Sequence, residues 1–376
     1  MEQKRLGDLA TYINGYAFKP EDRGKEGLPI IRIQDLTGNT YDLGFYNGDY
    51  PEKIEINDGD ILISWSASLG VYIWNRGKAL LNQHIFKVVF DKEEVNKQYF
   101  VFAVKYNLKE MGTKAHGATM KHIVKKDFDN TLVPFPTIEK QDVIAEILSK
   151  AAYIVDARKQ ELQKLDDLVR ARFVELFGDE NNSKNWSIVH IEDVADVQVG
   201  VVIKPSQYYT DESNGIKAFR SLNVGAGFIK DSDWVYFTAE GHQKNSKSIL
   251  RENDLLIVRS GAPGTACVVT EDYVGCNAID IIIAHPDCEK VNPYYLCTFT
   301  NMPHGKKQIV EGTGGAAQQH FNVGKYNKLQ LMLPPKELQD KFVEFINQIA
   351  KSKAAVQKAL DQAKSKFTKT FRPLQC

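Results

Sequence analysis

The sequence predicts an α+β fold in which two strand-rich α/β domains are joined by two long antiparallel coiled-coil helices, as a pseudo-two-fold internal repeat. Three observations predict it. A set of motifs occurs twice in the same order, short apolar runs fill each half, and a seven-residue apolar pattern follows each half. The predicted boundaries are 1–136 for the first domain, 137–178 for the first helix, 179–334 for the second domain and 335–376 for the second helix.

The internal repeat is the strongest of these observations. The matched segments are 6–10 with 191–195, 15–20 with 200–205, 30–36 with 218–224, 58–64 with 252–258, 96–100 with 292–296, 117–123 with 315–321, and 134–136 plus Gln141 with 334–335 plus Gln339. Their offset drifts from about 185 to about 200 residues, so the insertions fall in loops, where they are tolerated best. Apolar positions persist while other residues differ, which indicates one scaffold carrying two different surfaces.

Short apolar runs bounded by Gly, Asn and Asp predict the strands of both domains. The runs are 27–33, 60–64 and 85–90 in the first domain and 254–258, 266–270 and 279–284 in the second. Asn96 and Asn292 are predicted to cap helices that follow these strands, because an asparagine side chain can accept hydrogen bonds from free backbone amides. Each domain is therefore expected to mix strands with a few helices.

A heptad pattern predicts each long helix. The first seam contains Leu148, Val155, Leu162, Val169 and Leu176, with Ile144, Ala151 and Leu165 beside it; the second contains Phe342, Ile349, Val356 and Ala363, with Ile346, Leu360 and Phe367 beside it. The first helix should run on the order of 60 Å. Arg158, Arg172 and Lys353 interrupt the seams, so the pairing is not expected to be uniformly apolar.

Composition excludes several classes of protein. No apolar run approaches the roughly 18 residues that a membrane span needs, and the first residues lack the apolar region of a secretory signal, so a cytoplasmic protein with no membrane partner is expected. The five cysteines are odd in number and form no CxxC pair, so neither disulfides nor a zinc site is indicated. No metal or cofactor is predicted.

The charge distribution permits nucleic-acid binding without indicating it. The net charge is zero, whereas nucleic-acid binders usually carry a basic excess. Residues 96–126 nevertheless contain seven lysines and one acidic residue, Glu110. A solvated basic face explains such a run as well as a DNA-binding surface does.

The chain as a whole resembles the specificity subunits of type I restriction-modification systems. The motifs that carry the resemblance are LGDLATYINGYAFKP, GLPIIRIQDL, INDGDILIS, LNQHIF and the run HGATMKHI–VPFP–EKQDVIAEIL, together with their order and duplication. The resemblance implies that each domain is a target-recognition domain reading one half of a bipartite, asymmetric sequence in double-stranded DNA. Residues 1–136 would read one half-site and residues 180–334 the other.

The resemblance also implies the partners of the chain. The two helices would form an antiparallel spacer that fixes the distance between the half-sites and binds two methyltransferase subunits. Restriction-translocase subunits would join in the full complex, and the chain itself would have no catalytic site. A rod of fixed length between two base-reading surfaces converts protein geometry into half-site spacing, and tethering raises the effective concentration of each reader for its half-site.

Polar residues that follow predicted strands at matched positions are the candidate DNA contacts, since Arg, Lys, Asn and Gln read base edges and hydroxyls bind phosphates. In the first domain these are Lys19, Arg32, Gln34, Trp65, Ser66, Gln83, His84, Lys114, Lys121 and His122. In the second they are Lys204, Arg220, Asn223, Arg259, Ser260, Asn277, Gln318, Gln319 and His320. For any one of them a role in a turn, a cap or a solvated surface is an equally good explanation.

Three local features suggest functions other than DNA recognition, and each has a simpler explanation. The segment Asn292–Tyr295 (NPYY) is similar to the active-site motif of amino-methyltransferases but lacks its second proline, and a helix start with proline in its first turn explains it. The histidines at 122 and 320 lack Cys or carboxylate neighbours at metal spacing, so structural hydrogen bonds are expected of them. Residues 311–317 lack the GK[ST] ending of a phosphate-binding P-loop, and a DNA-facing loop is predicted.

The remaining alternative is a coiled-coil adaptor without DNA sequence specificity. The heptads alone permit this function, whereas two elaborate globular domains favour a ligand at each. Sequence-specific protection of DNA by the assembled complex discriminates between the two.

Overall fold

The computed structural model describes residues 2–38, 42–114, 123–313 and 321–371. The chain divides into two compact units, one formed by Met1–Gln160 with Gln357–Cys376 and the other by Glu161–Val356. Each unit contains one strand-rich domain and parts of two long helices.

The elements of the first unit, in chain order, are β1 (Gln3–Arg5), α1 (Leu6–Leu9), β2 (Thr11–Asn14), β3 (Leu28–Ile31), α2 (Ile33–Leu36), β4 (Phe45–Tyr46), β5 (Glu55–Ile56), β6 (Ile61–Ser64), β7 (Gly70–Ile73), β8 (Ala79–Leu81), β9 (Ile85–Val89), α3 (Lys97–Lys114), α4 (Lys125–Asp129), β10 (Leu132–Pro134) and the first part of α5 (Ile138–Phe177). An antiparallel sheet has the order β2-β9-β6-β7, and a mixed sheet has the order β4-β3-β8-β5, with β3 and β8 parallel. Strands β1 and β10 form a separate antiparallel pair.

Strand β6 lies at the centre of the first domain. Successive side chains of a strand point to opposite faces. Ile61 and Ile63 accordingly pack with α3 in one apolar cluster, whereas Leu62 packs with strands of the second sheet in another. Burial on both faces explains why this strand is a continuous apolar run in the sequence.

The elements of the second unit, after the end of α5, are β11 (Ser187–His190), β12 (Ala195–Val199), β13 (Tyr209–Thr210), β14 (Ile216–Phe219), β15 (Val235–Phe237), α6 (Ala239–Lys244), β16 (Leu255–Val258), β17 (Ala266–Val268), β18 (Asn277–Ala278), β19 (Ile281–Pro286), α7 (Pro293–Asn301), α8 (Pro303–Thr313), α9 (Val323–Asn327), β20 (Gln330–Leu333) and α10 (Lys336–Phe371). Its sheets have the orders β12-β19-β16-β17 and β13-β15-β14-β18, with β14 and β18 parallel, and β11 pairs with β20. Leu255 and Ile257 pack on one face of β16, and Leu256 and Val258 on the other.

The two domains therefore repeat one connectivity, in which β2, β9, β6 and β7 correspond to β12, β19, β16 and β17, and β4, β3 and β8 correspond to β15, β14 and β18. This correspondence confirms the internal repeat predicted from the sequence. The predicted strand runs coincide with β3, β6 and β9 in the first domain and with β16, β17 and β19 in the second. The copies differ in detail. The second domain has α7 and α8 where the first has α3, it adds β13 and α6, and it has a single bridge between Ile249 and Asn277 where the first has β5.

Helices α5 and α10 contain 40 and 36 residues, or about 60 Å and about 54 Å at about 1.5 Å per residue. Within the second unit they run antiparallel. Phe173 packs on Phe342 near the start of α10, with 5.4 Å between ring centroids. Asp166, which comes earlier in α5, pairs with Lys353, which comes later in α10.

The heptad seam of α10 is buried, whereas that of α5 is buried at Leu148 and half-buried along the rest of its length. The buried seam residues are Leu148, Phe342, Ile349, Val356, Leu360 and Ala363, whereas Val155, Leu162, Val169 and Leu176 are half-buried and the side chain of Phe367 lies outside the described part. The charged interruptions have partners. Lys353 pairs with Asp166, and Arg172 pairs with Glu175 at 2.9 Å while lying over the ring of Phe345.

The predicted helix caps are confirmed in both domains. The Asn96 Oδ1 accepts from the Tyr99 N–H at 2.9 Å, and the Asn292 Oδ1 accepts from the Tyr294 N–H at 3.0 Å. Pro293 occupies the first turn of α7, where a missing N–H costs no helical hydrogen bond. This cap accounts for the NPYY segment without a catalytic role.

Three cysteines are buried and act as small apolar side chains. Burial raises the pKa of the Cys267 thiol to about 12 and that of the Cys276 thiol to about 11. Cys297 is buried as well, Cys288 is exposed, and Cys376 lies outside the described residues. Across the described ranges, no three His, Cys, Asp or Glu side chains are grouped so as to hold a metal ion. None of the helices in these ranges is both long and apolar enough to cross a membrane.

Candidate nucleic-acid interface

One edge of the β2-β9-β6-β7 sheet gathers several of the candidate residues. The ends of β2 and β6 and the start of β9 meet at this edge because the strands are antiparallel, so that Asn14 lies opposite Phe86 and Ser64 opposite Ile85. At this edge Trp65 directly follows β6, and Gln83 and His84 directly precede β9. We call the group formed by these three residues and Asn14 the first edge cluster.

Trp65 is the centre of the first edge cluster. Its indole is stacked on Phe86 with 5.7 Å between ring centroids and meets the His84 ring edge-on at 4.9 Å. The indole N–H donates to the Asn14 Oδ1 at 3.3 Å. His84 is exposed and has a left-handed backbone, with φ of +72°. An aromatic plane beside amide and imidazole groups offers both apolar contact and hydrogen bonds to base edges.

The second unit has an equivalent edge, at the ends of β12 and β16 and the start of β19. Here Arg259 takes the place of Trp65. Both residues are tied by the same main-chain bond to a later segment: Ile123 N–H donates to Trp65 O at 2.9 Å, and Phe321 N–H donates to Arg259 O at 3.2 Å. We call Arg259, Ser260 and Asp280 the second edge cluster. The two surfaces thus share a backbone and differ in side chains.

The Arg259 guanidinium is held in one orientation. It forms an ion pair with Asp280, and its Nε donates to the Phe321 carbonyl at 3.2 Å. A guanidinium has five N–H donors in a planar fork, so donors remain for a further acceptor. The Asp280 side chain is 43% exposed and that of Arg259 is 15% exposed, so the pair reaches the surface of the domain mainly through the aspartate.

The loops after β2 and β12 match in sequence but differ in conformation. Lys19 is exposed and extended, and its N–H donates to the Asp22 carboxylate at 2.7 Å. Lys204 is exposed with a left-handed backbone, φ +43°, and it follows Ile203, whose side chain is 80% exposed. The second loop therefore presents a large apolar side chain beside its lysine.

Several candidates face inward. Arg32 is buried, pairs with Asp35 at 3.2 Å and donates to the Asp42 carbonyl. Asn223 is fully buried and donates to the Ser232 carbonyl at 2.7 Å. Buried polar groups satisfied in this way hold loops in place, so we assign both residues a positioning role within the domain.

Asn277 and Ser66 are also buried, and Arg220 is half-buried. The Asn277 amide donates to the Ser248 hydroxyl at 2.8 Å and faces a His242 ring nitrogen. Arg220 donates to the Asp233 carbonyl, much as Arg32 does in the first domain. Burial therefore leaves Asn277 without an accessible polar surface and Ser66 with little of one.

The remaining candidates are distributed between the surface and the undescribed segments. Gln34 is exposed, whereas Gln83 and Ser260 are half-buried. Lys121, His122, Gln318, Gln319 and His320 lie outside the described residues, as do the side chain of Lys114 and most of the glycine-rich segment after Glu311.

Sequence reasoning missed three contributors to these surfaces. Asp280 is one, and its signal was a charge inside the apolar run 278–284. Gly15 and Gly200 are the others. A Cβ at Gly15 would lie 2.0 Å from the Asn82 carbonyl oxygen, and one at Gly200 would lie 2.2 Å from that of Ala278. Only glycine allows this approach, and its repetition in both motifs was the available signal.

Lys306 holds the loop that follows Ser260 of the second edge cluster. Its ammonium donates to the Pro263 carbonyl at 3.0 Å and to the Thr265 hydroxyl at 3.3 Å, which anchors the loop after Ser260. Burial lowers the pKa of this lysine. The two acceptors compensate for part of the lost hydration.

Comparison with known proteins points to one family. The family model described as the type I restriction modification DNA specificity domain matches residues 1–166 and 183–364. A specificity subunit of the type I restriction enzyme EcoBI from Escherichia coli is 24% identical over 385 residues, covering 95% of this chain and 81% of that protein. The EcoKI specificity subunit from Escherichia coli K12 is 22% identical over 404 residues, covering 95% and 84%.

Solved structures agree at the level of the fold. The crystal structure of a type I restriction-modification S subunit from M. genitalium aligns with a TM-score of 0.59 and 15% identity, covering 99% of this chain and 95% of that one. A structure titled as the basis of complex assembly and conformational transition of the type I system aligns with a TM-score of 0.54 and 15% identity, covering 99% and 96%.

Proposed function

This chain belongs to the type I restriction-modification DNA specificity family, and we propose that each of its two domains reads one half of a bipartite DNA target. Members of this family recognise the target sequence, while methylation and cleavage are carried out by other subunits. The chain is therefore a specificity subunit and not an enzyme. Because its proposed target is DNA, we propose that the chain acts in the cytoplasm.

One observation carries the two-half-site proposal: the same scaffold presents different side chains at matched positions. Trp65 and Arg259 follow equivalent strands and make the same main-chain bond, yet one is aromatic and the other cationic. Such a difference suits two different base sequences, since Arg prefers the acceptors of guanine whereas an aromatic side chain makes apolar contacts.

The proposed contacts are the accessible members of the original set. They are Lys19, Gln34, Trp65, Gln83, His84, Lys204, Arg220, Arg259 and Ser260, together with Lys114, Lys121, His122, Gln318, Gln319 and His320, for which the DNA-contact proposal rests on the sequence. Double-stranded DNA presents acceptors in the major groove and phosphates along the backbone, and this mixture of donors can address both.

The long helices supply the docking surface for methyltransferase subunits, and the restriction-translocase subunits complete the assembly. On α5 the side chains of Val143, Ile147 and Ile154 are exposed at intervals of four and seven residues, and so share one face. Ala145 and Leu148, on the opposite face, pack into the first domain. An exposed apolar stripe on an otherwise packed helix is typical of a surface that a partner covers. The family match disfavours the adaptor without DNA specificity.

Methylation mapping tests the proposed function. In cells that contain this chain with its cognate methyltransferase subunit, we expect methylated bases within a bipartite motif that is absent when the chain is deleted. Unchanged methylation, with the methyltransferase subunit expressed and bound to the chain, would instead support the adaptor function.

Arg259→Lys is expected to relax recognition at one position of one half-site. Lysine retains the charge but cannot keep both the Asp280 pair and the bond to the Phe321 carbonyl, so the planar fork is lost. Loss of a bidentate contact between an arginine and a base edge costs about 1–3 kcal/mol of discrimination at that base. The same methylation map measures this change, with Arg251→Lys at an exposed position of the same domain as the control. An unchanged motif in the Arg259 variant would remove this residue from the contact set.

A further inference from the structure

A buried glutamine joins each domain to the long helix that follows it. In the first unit the Gln141 Oε1 accepts from the Asn96 N–H at 3.0 Å, and its Nε2 donates to the Pro136 carbonyl at 2.9 Å. Gln141 is 1% exposed. The side chain thus connects the start of α5, the start of α3 and the chain leaving β10.

The second unit contains the same arrangement. The Gln339 Oε1 accepts from the Asn292 N–H at 2.8 Å, and its Nε2 donates to the Pro334 carbonyl at 2.8 Å. Gln339 is fully buried. We call the pair Gln141 with Asn96, and its counterpart Gln339 with Asn292, the glutamine joints.

Flanking bonds repeat as well. The Asn96 amide donates to the Asp142 carboxylate at 2.6 Å, and the Asn292 amide donates to the Asp340 carboxylate at 2.7 Å. In each unit a buried tyrosine hydroxyl also donates at 2.7 Å to a carbonyl of the last strand. The Tyr99 hydroxyl donates to the Pro134 carbonyl, and the Tyr295 hydroxyl donates to the Met332 carbonyl.

The joints stay the same where the edge clusters change. Whatever they do is therefore common to both domains and independent of the base sequence that each one reads. Apolar packing also holds each helix on its domain, but that attraction is non-directional. Hydrogen bonds to two fixed partners are directional, and so they can define the angle at which the helix leaves the domain.

We propose that Gln141 and Gln339 are positioning residues that fix the angle between each domain and its spacer helix, and so fix the number of base pairs between the half-sites. This inference rests on the proposed function, because it assumes two DNA-reading domains held by a rod. A small change of angle at the base of a rod about 60 Å long displaces the far end by several ångströms, which is comparable with the rise of a base pair.

The test uses the complex of this chain with its methyltransferase subunits. Gln141→Glu and Gln339→Glu keep the shape of the side chain but replace the Nε2 donor by an oxygen that faces a proline carbonyl. Duplexes carry the native half-sites with the native spacer or a spacer one base pair longer or shorter. The measured quantity is the ratio of the methylation rate on an altered spacer to the rate on the native spacer. We expect this ratio to be at least tenfold higher in the variants than in the wild-type complex, with base preference within each half-site unchanged.

Matched controls separate this role from a loss of stability. Gln163→Glu on α5 and Gln348→Glu on α10 make the same chemical change at exposed positions, and we expect wild-type spacing preference from both. A defect that only destabilises the chain lowers the rate on all duplexes by one factor and leaves their ratio unchanged, and that outcome contradicts the proposal.

A milder pair of variants decides the question if the glutamate variants fold poorly. Asp142→Ala removes the outer bond of the first joint, whereas Asp340→Ala removes that of the second joint together with an ion pair to Lys336 at 2.8 Å. We expect a smaller broadening in the same direction from both variants. Wild-type ratios in these variants overturn the proposal. If the wild-type complex itself methylates no bipartite sequence, the proposed function fails, which is a different result from spacing that stays fixed in the variants.

Discussion

Phe342→Ala is expected to lower the free energy of unfolding of the second unit by about 3–5 kcal/mol, the usual cost of emptying a buried aromatic site. Phe342 is fully buried at the start of α10. Its ring meets those of Phe173 and Phe177 edge-on, each at 5.4 Å between centroids, and Tyr295 stacks on Phe173 at 5.6 Å. The substitution therefore removes the ring through which α10 packs on α5 inside the domain core.

Denaturant unfolding, followed by circular dichroism and tryptophan fluorescence, measures this loss. Trp186 reports on the site because its indole N–H donates to the Phe177 carbonyl at 3.0 Å. Phe345→Ala is the matched control: it lies on the same helix, is partly exposed and has Arg172 over its ring, so a smaller loss is expected. Equal losses in the two variants would show that the aromatic cluster is not the point of attachment.

A loss of this size matters because domains are stable by only about 5–15 kcal/mol. The second domain is expected to fail first in the Phe342 variant, so one half of the target should lose its recognition before the other. The long helices are thus part of each domain's core as well as spacers between the two.

Sequence reasoning predicted the architecture because its signals are periodic. The repeat, the strand runs and the heptads all follow from side chains that must face a core, and Leu62, Leu256 and Phe342 are buried as these patterns require. The boundaries of the two compact units could not be predicted from these patterns, because they fall within α5 and α10. Heptads define a helix but do not tell which part of it packs on which domain.

The candidate contacts were harder to predict because polarity alone does not distinguish a surface from a buried loop clamp. Arg32 and Asn223 occupy matched motifs after β3 and β14, as a base-reading residue would, yet their side chains are used inside the domain. The sequence held one hint, since Asp35 and Asn223 recur three residues after an arginine, a spacing at which a side chain can bond back to the backbone. Trp65 and Arg259, by contrast, could be matched from the sequence because each follows the central strand of its domain.

Exchanging the second domain for that of another family member is expected to change one half of the DNA target completely and leave the other half unchanged. The structure defines where the junctions should lie. Phe173 and Phe177 of α5 and Phe342 of α10 belong to the core of the second domain. A chimera cut at residues 180 and 334 would therefore combine the aromatic residues of one protein with the core of another.

A wider exchange of residues 169–346 carries these aromatic residues, together with Val169 and Ile346, which pack against the same core. It also carries Gln339 with its partner Asn292, so the glutamine joint stays intact. We expect the wider chimera to be the more stable of the two and to methylate a hybrid target, with the first half-site and its spacing retained. Loss of both half-sites in a folded wide chimera would show that the domains do not recognise DNA independently. A narrow chimera as stable as the wide one would show that the helix ends adapt to a foreign core, and would place the limits of the interchangeable module at the loops and not within the helices.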